Sequence, residues 1–353
     1  MWYWENMTDN FILEGKTIMN DRLDHISAMA NNLGYCEAVE KLLAIEVPER
    51  AQFLRVMVCE MSRISGHFVT LANHALDIGD MSIFLYCFRE RESVLELFAE
   101  LCGAGLPNSY TRLGGVGQDI SDNTLRTLEH FVYEFPTIID ELEALIDTNR
   151  LWLRRTIGVG QITAEKAVDL CLTGASLRGS GIGYDIRKHM PYGAYTRMDF
   201  EIPLGEIGDT YDRYCCRMEE IRQSNYILKQ CIAKLPASPI LGSDAPDLVM
   251  PAKAGRKIEI DTHARNSLIN LIETRDVSME GDVYAATEVH KGELGFYFVS
   301  DSMGRPARVH VRTPSFLHIG AVAALERGVI NGDLIAINGT VDVVLRECES
   351  RPA

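Results

Sequence analysis

The run PERAQFLRVMVCEMSRISGHFVTLANHALDI, residues 48–78, carries one unbroken helical pattern. Pro48 suits the first turn of a helix, where its missing N–H costs nothing. At 1.5 Å per residue the run predicts a rod of about 45 Å. On a helical wheel Leu54, Met57, Val58, Met61, Ile64, Phe68, Val69, Leu71, Ala72, Ala75 and Leu76 fill one half. The other half holds Arg55, Cys59, Glu60, Ser62, Arg63, Gly66, His67, Thr70, Asn73, His74 and Asp77. Within it Glu60, Arg63, His67 and His74 fall inside a sector of about 60°. A solvated face normally carries lysines, and this one has none. Two readings stay open: a core face backed by a solvated face, or a polar face buried against a partner or a polar cavity.

Working outward, AVEKLLAIEV (38–47) reads as the end of a preceding helix. Beyond the rod, Arg89 to Leu101 places apolar residues at 94, 95, 97, 98 and 101, one helix face. RLGGVGQDI (112–120) is a glycine-rich turn, and a further helix is predicted over roughly 122–149. Thr163 reads as the N-cap of a short helix ending near Leu170, and Asp209 to Ala233 as another long helix. GASLRGSGIGYDIRKHMPYGAY (174–195) is a glycine-rich loop, residues 236–256 a proline-rich one, and about 261–274 a helix. The character then changes. VYAATEV (283–289), GELGFYFVSD (292–301) and ARVHVRTPSF (307–316) read as strands separated by the turn signals His290-Lys291-Gly292 and Ser302-Met303-Gly304. LIAINGTVDVVL (334–345) reads as a last strand pair around Asn338-Gly339. The predicted fold class is mainly α with a small C-terminal β element (α+β). The expected organisation is a divergent segment over 1–20 followed by one domain over 21–353, helical over 21–275 and β-rich over 282–345.

The 353 residues are 46% hydrophobic and 24% charged, which excludes disorder as the main state. The formal charge of −15 and a pI near 5.1 argue against general nucleic-acid binding, which needs a basic field. No stretch approaches the roughly 18 consecutive apolar residues of a membrane span. The start, MWYWENMTDN, lacks the basic and then apolar order of a secretory signal, and is acidic where a mitochondrial presequence is arginine-rich. Nine cysteines at 36, 59, 87, 102, 171, 215, 216, 231 and 348 form no C-x-x-C, and predict buried free thiols rather than a metal site.

Of the familiar chemical signatures the chain has few. Three GxG patterns, at 115–117, 179–181 and 181–183, do not follow a strand and open a helix as a dinucleotide site requires. There is no G-x-x-x-x-G-K-[ST], H-E-x-x-H or G-x-S-x-G. Residues alone describe a helical protein with a polar internal face and no self-contained catalytic set.

Longer blocks together resemble one family. They are DRLDHIS (21–27), AVEKLLAIEVPERAQFLRV (38–56), SRISGHFVTLANHALDIGDMS (62–82), FRERE (88–92) and TRLGGVGQDI (111–120). Further along come LRGSGIGYDIRKHMPY (177–192), GDTYDRYCCRMEEIRQS (208–224), KGELGFYFVSD (291–301) and RTPSF (312–316). From about residue 12 onward the chain resembles the D-type subunit of the proton-pumping NADH:quinone oxidoreductase, respiratory complex I. The resemblance implies a body like the large subunit of NiFe hydrogenases, without that enzyme's metal-binding cysteines. It implies a translocase component, catalytic only in assembly, peripheral on the cytoplasmic side of a bacterial membrane or the matrix side of a mitochondrial one. Its partners would be the other subunits of the complex, including the membrane arm and above all the small subunit that holds the terminal four-iron cluster. Quinone would be the substrate, with no cofactor bound by this chain alone.

Carried over residue by residue, His25 and Asp77 would line the quinone cavity. Arg22, Arg63 and His67 would lie near the partner's cluster. Arg178 and Asp342 match family positions without an assigned role. The polar half of the rod would then face the subunit interface and cavity. Two departures stand out. The family carries a tyrosine where this chain has His25, exchanging a neutral donor for an imidazole that can also exist as a cation. The family also begins with a β-rich segment bearing a loop histidine, and the GEVDR-like ending is here LRECESRPA. These departures motivate a rival reading, a structural or assembly paralogue without quinone chemistry; a further alternative, against which the missing cysteine pairs speak, is a subunit of a related membrane-bound hydrogenase-like complex.

Overall fold

The first three long helices among the described residues each end on a residue in the left-handed conformation. The computed structural model describes residues 23–103, 110–242, 280–301 and 306–348. Helix α1 (Ala28–Leu43) stops at Ala44, which adopts the left-handed conformation at φ 51°. Helix α2 (Glu49–Ile78) is the predicted rod, with Pro48 as its N-cap and Gly79 at φ 106° closing it. Asp80 then caps α3 (Met81–Cys102): its Oδ1 accepts from the backbone N–H groups of Ser82 and Ile83 at 2.9 and 3.1 Å. A short hairpin, β1 (Thr111–Arg112) and β2 (Gly115–Val116), replaces the predicted turn. Gly115 sits so close to Ile240 that a Cβ there would lie 2.0 Å from its carbonyl oxygen.

Helix α4 (Asp122–Asp147) is capped by Ser121, and α5 (Arg150–Thr156) by Asn149. Thr163 caps α6 (Ala164–Asp169), as its spacing predicts. The glycine-rich stretch read as loop holds two single-turn helices, α7 (Ala175–Arg178) and α8 (Ile186–His189). Helix α9 (Thr210–Lys234) starts at the N-cap Asp209.

Strands β3 (Glu280–Val289), β4 (Gly292–Asp301) and β5 (Pro306–Arg312) form an antiparallel sheet in sequential order. Val289 pairs with Gly292, so His290 and Lys291 alone make the hairpin turn. Helix α1 lies against this sheet, with the Tyr35 ring edge-on to Phe298 at 5.5 Å. The apolar half of α2 packs among α3, α9 and α1, and its Phe53, Met57, Ile64 and Phe68 join one core with Ile221 and Leu228 of α9 and Phe296 and Phe298 of β4.

The end of the chain departs from expectation. Strand character stops at Arg312, and α10 (Pro314–Leu325), α11 (Asn331–Val341) and α12 (Leu345–Cys348) follow. The predicted strand pair around Asn338-Gly339 is therefore helical. Its buried residues are Ala336, Ile337, Thr340 and Val341, a helical spacing, whereas alternation would have buried Ile335, which is 49% exposed. Gly339 serves close approach to α2 rather than a turn, since a Cβ there would meet the His74 ring at 2.8 Å. The expected segment 1–20 and the helix at 261–274 lie outside the described residues. Among the described residues no helix is long and apolar enough to cross a membrane.

One buried ion pair ties the first third of the fold together. Arg55 on α2 donates from Nη1 and Nη2 to the two carboxylate oxygens of Glu40 on α1, at 2.8 and 2.6 Å. The same guanidinium donates to the carbonyls of Arg112 and Gly115 in the small hairpin. Arg55→Met leaves Glu40 charged and buried, and is expected to lower the unfolding free energy by about 3–5 kcal/mol. Chemical denaturation checks this; a loss of less than about 1 kcal/mol would mean that Glu40 finds other partners.

Candidate functional site

Most of the polar half of α2 is buried inside the chain, Asn73 and Asp77 near its end being exposed. Glu60, Arg63, His67 and His74 are each no more than 2% exposed. What covers them is α9, the segment from Arg178 to Arg187, and the β3–β4 hairpin. Of the two readings, the buried one holds for these four residues, and it is the chain's own charged groups that cover them.

Arg178 sits at the centre. Its Nε and Nη2 both donate to Glu220 Oε1, at 2.8 and 2.6 Å, and its Nη1 donates to Glu288 Oε1 at 2.8 Å and to the carbonyl of Tyr184 at 3.0 Å. Arg187 grips Asp185 through Nε and Nη2 at 3.0 and 2.7 Å, and reaches Glu60 through Nη1. Arg63 lies 3.3 Å from Glu60 and donates to the carbonyls of Glu288 and Val289. Tyr195 and Ser224 complete the shell of Glu60, each donating at 2.6 Å. Three arginines thus face four carboxyl groups in an interior closed to solvent. Such ions are tolerable only because nearly every charge has several partners.

The electrostatics follow from those partners. Burial alone would raise the carboxyls of Glu220, Glu60 and Asp185. The arginines overrule it and hold all three below the usual carboxylate range. Glu288 goes the other way: burial and the neighbouring Asp185 raise it. His67 is pushed down to about 4 by burial, against the pull of Glu220, so it is neutral near pH 7. Its Nε2 lies 2.8 Å from Glu220 Oε2, and with a carboxylate as acceptor that nitrogen carries the proton. His67, Thr70, His74 and Arg217 line a small internal cavity.

A second buried cluster adjoins the first. Lys291, in the β3–β4 turn, bonds the carboxylate of Asp24. Ser27 Oγ bonds His290 Nδ1. Across the ring, His290 Nε2 stands 3.4 Å from Asp342 Oδ2, which also accepts from Thr70 Oγ1 at 2.7 Å. Asp342 takes the left-handed conformation at φ 56°, just beyond α11, and this places its carboxylate among these groups. Burial would raise Asp342, but the Lys291 ammonium, His290 and Arg217 hold it well below the usual range. Burial likewise pushes Asp24 up, and Lys291 and His290 bring it down.

The predicted residues therefore separate. Arg63, His67 and Arg178 meet in one lattice, and Asp342 belongs to the adjoining cluster. His25 is exposed on the turn between Asp24 and Ser27, both of which are buried. Asp77 is exposed near the end of α2, with its carboxyl raised by partial burial. Arg22 lies outside the described residues. Sequence reasoning missed Glu220, Asp185, Arg187, Glu288, His290 and Lys291. Their one visible signal was charge inside otherwise core-like blocks. The nine cysteines are free thiols, but Cys171 and Cys215 are exposed rather than buried.

Glu347 gives this region a pH signature. It is buried beside the start of α10, accepts from the Ser315 N–H, and is raised from 4.5 to about 7, chiefly by burial. A raised folded-state value stabilises the fold below the unfolded value and is lost as pH climbs through the folded one. Glu347→Gln is therefore expected to gain stability relative to the parent between pH 4.5 and about 7 and to hold that gain above it. Thermal unfolding across this range checks it; parallel curves would contradict it.

Comparison with known proteins names the family. A family model described as respiratory-chain NADH dehydrogenase, 49 Kd subunit, matches residues 77–350. The second of the D-type NADH-quinone oxidoreductase subunits of Thermodesulfovibrio yellowstonii is 51% identical over 346 residues, covering 98% of this chain and 86% of that protein. The D-type subunit of Geobacter metallireducens is 42% identical, covering 94% of this chain and 84% of that protein. Its counterpart in Chromobacterium violaceum is 40% identical over 372 residues, covering 96% and 88%. The chain belongs to the family of the respiratory-chain NADH dehydrogenase 49 kDa subunit, the D-type subunit of NADH-quinone oxidoreductase.

Proposed function

We propose that this chain forms the quinone-reduction cavity of NADH:quinone oxidoreductase together with the small subunit that carries the terminal iron–sulfur cluster. Family membership supports the setting. The observation that carries the finer reading is the Asp24–Ser27 turn. It exposes His25 while Asp24 is fixed by Lys291 and Ser27 by His290. An exposed imidazole on a rigidly anchored turn is suited to donate a hydrogen bond or a proton to a quinone oxygen. The neighbouring subunit's cluster supplies the electrons. This chain contributes position, a fixed field and protons. Asp77 would line the same cavity. Arg22, Arg63 and His67 would act on the cluster side, Arg63 and His67 as a buried second layer rather than as surface groups. Arg178 would keep that layer in place. The subunit would sit peripherally on the cytoplasmic or matrix side, against the membrane arm.

A second reading is a structural subunit without quinone chemistry. It is favoured by the complete enclosure of Arg63 and Arg178 in internal ion pairs and of His67 in a hydrogen bond to Glu220. His25→Ala in the assembled complex separates the two. Loss of a positioned donor is expected to lower quinone reduction by about tenfold or more with assembly intact, and His25→Tyr is expected to retain activity. Unchanged turnover in His25→Ala would support the structural reading.

A further inference from the structure

A hairpin tip is ordinarily a wet place, yet His290 and Lys291, the two residues of the β3–β4 turn, are 1% and 3% exposed. Helix α2 makes room for the histidine. At Gly66 a Cβ would lie 2.5 Å from His290 Cγ, so the imidazole occupies a slot that only glycine leaves open. The ring then bridges two distant parts of the chain. Nδ1 is bonded to Ser27 Oγ at the start of α1, and Nε2 stands 3.4 Å from Asp342 Oδ2, aligned too poorly for a full hydrogen bond. The groups facing the ring are Asp24 and Lys291 from the turn side, Asp342 from the end of α11, and His67 of α2, whose ring meets it edge-on at 5.9 Å. An apolar residue would fill such a slot without a desolvation cost. A titratable ring with a hydroxyl on one nitrogen and a carboxylate near the other is the arrangement that passes protons.

We propose that His290 is a proton relay between Asp342 and Ser27, delivering protons to the turn that presents His25; this rests on the quinone reading above. Asp342 stays a carboxylate and carries an incoming proton only in transit to Nε2. The Nδ1 proton leaves to Ser27 Oγ as the Ser27 hydroxyl proton passes to the His25 imidazole, which gives a proton to the reduced quinone. One proton enters and one leaves, Asp342 ends as a carboxylate, and the ring ends neutral. The two electrons of quinone reduction come from the neighbouring subunit's iron–sulfur cluster and do not pass through this route. His290 touches no substrate and acts through Ser27, so it is a positioning and relay residue.

The test uses the assembled complex and a soluble short-chain quinone. In Ser27→Ala, which removes one oxygen and leaves the ring in its slot, kcat is expected to fall by about 10- to 100-fold. KM and the reduction of the iron–sulfur clusters by NADH should stay as in the parent, and the solvent deuterium isotope effect should rise. His290→Gln should behave alike, and Ser27→Thr, which keeps the hydroxyl, should recover the rate. A parent-like kcat and isotope effect in Ser27→Ala overturns the relay. If His25→Ala lowers turnover in the same preparations while Ser27→Ala does not, the relay alone fails. If neither variant changes turnover, the quinone reading fails with it.

Discussion

The Arg178–Glu220 pair is the interaction on which the rest of the structure depends. Both side chains are fully buried, and through them four separate parts of the chain are joined: α7, α9, the β3–β4 hairpin and, by way of His67, the polar half of α2. Desolvating these ions costs several kcal/mol each, so the lattice does not hold the protein together by strength alone. What it supplies is specificity. Each guanidinium fits one set of oxygens, and any slip of α2 against α9 would leave buried charges unpaired.

That constraint organises the second cluster as well. Arg63 holds the carbonyls of Glu288 and Val289, which fixes the end of β3 and hence the buried turn of His290 and Lys291. Lys291 and His290 in turn fix Asp24 and Ser27, and the turn between those two presents His25. A continuous set of short contacts therefore runs from the charged interior to one exposed imidazole. Under the proposed quinone reading that exposure has a use, since a site completed by a neighbouring subunit would need a rigid chemical group at the edge of its own chain.

Much of this was legible in the sequence. The α2 rod could be read from periodicity and Pro48, and β3 and β4 from their β-branched and aromatic runs. The absence of lysine on the polar half of α2 correctly spoke against a solvated face. The residues that cover it were not legible, because Asp185, Glu220 and Glu288 lie far along the chain and pairing across such distances leaves no local pattern. His290 read only as part of a turn signal, and Gly66 as one small residue among several. The tail misled because Asn-Gly favours both hairpins and close helix packing, and only burial of Ile337 and Val341 rather than Ile335 chooses between them.

The central claim is that a cooperative buried charge lattice, centred on Arg178, fixes the interior from which the candidate site is presented. A double-mutant cycle on urea unfolding, using Arg178→Met, Glu220→Gln and the pair together, measures it most directly. The lattice account predicts strong coupling, with the double variant less destabilised than the sum of the singles by about 1–3 kcal/mol. Additivity within about 0.5 kcal/mol would contradict it, and would make the contact an incidental neighbour pair.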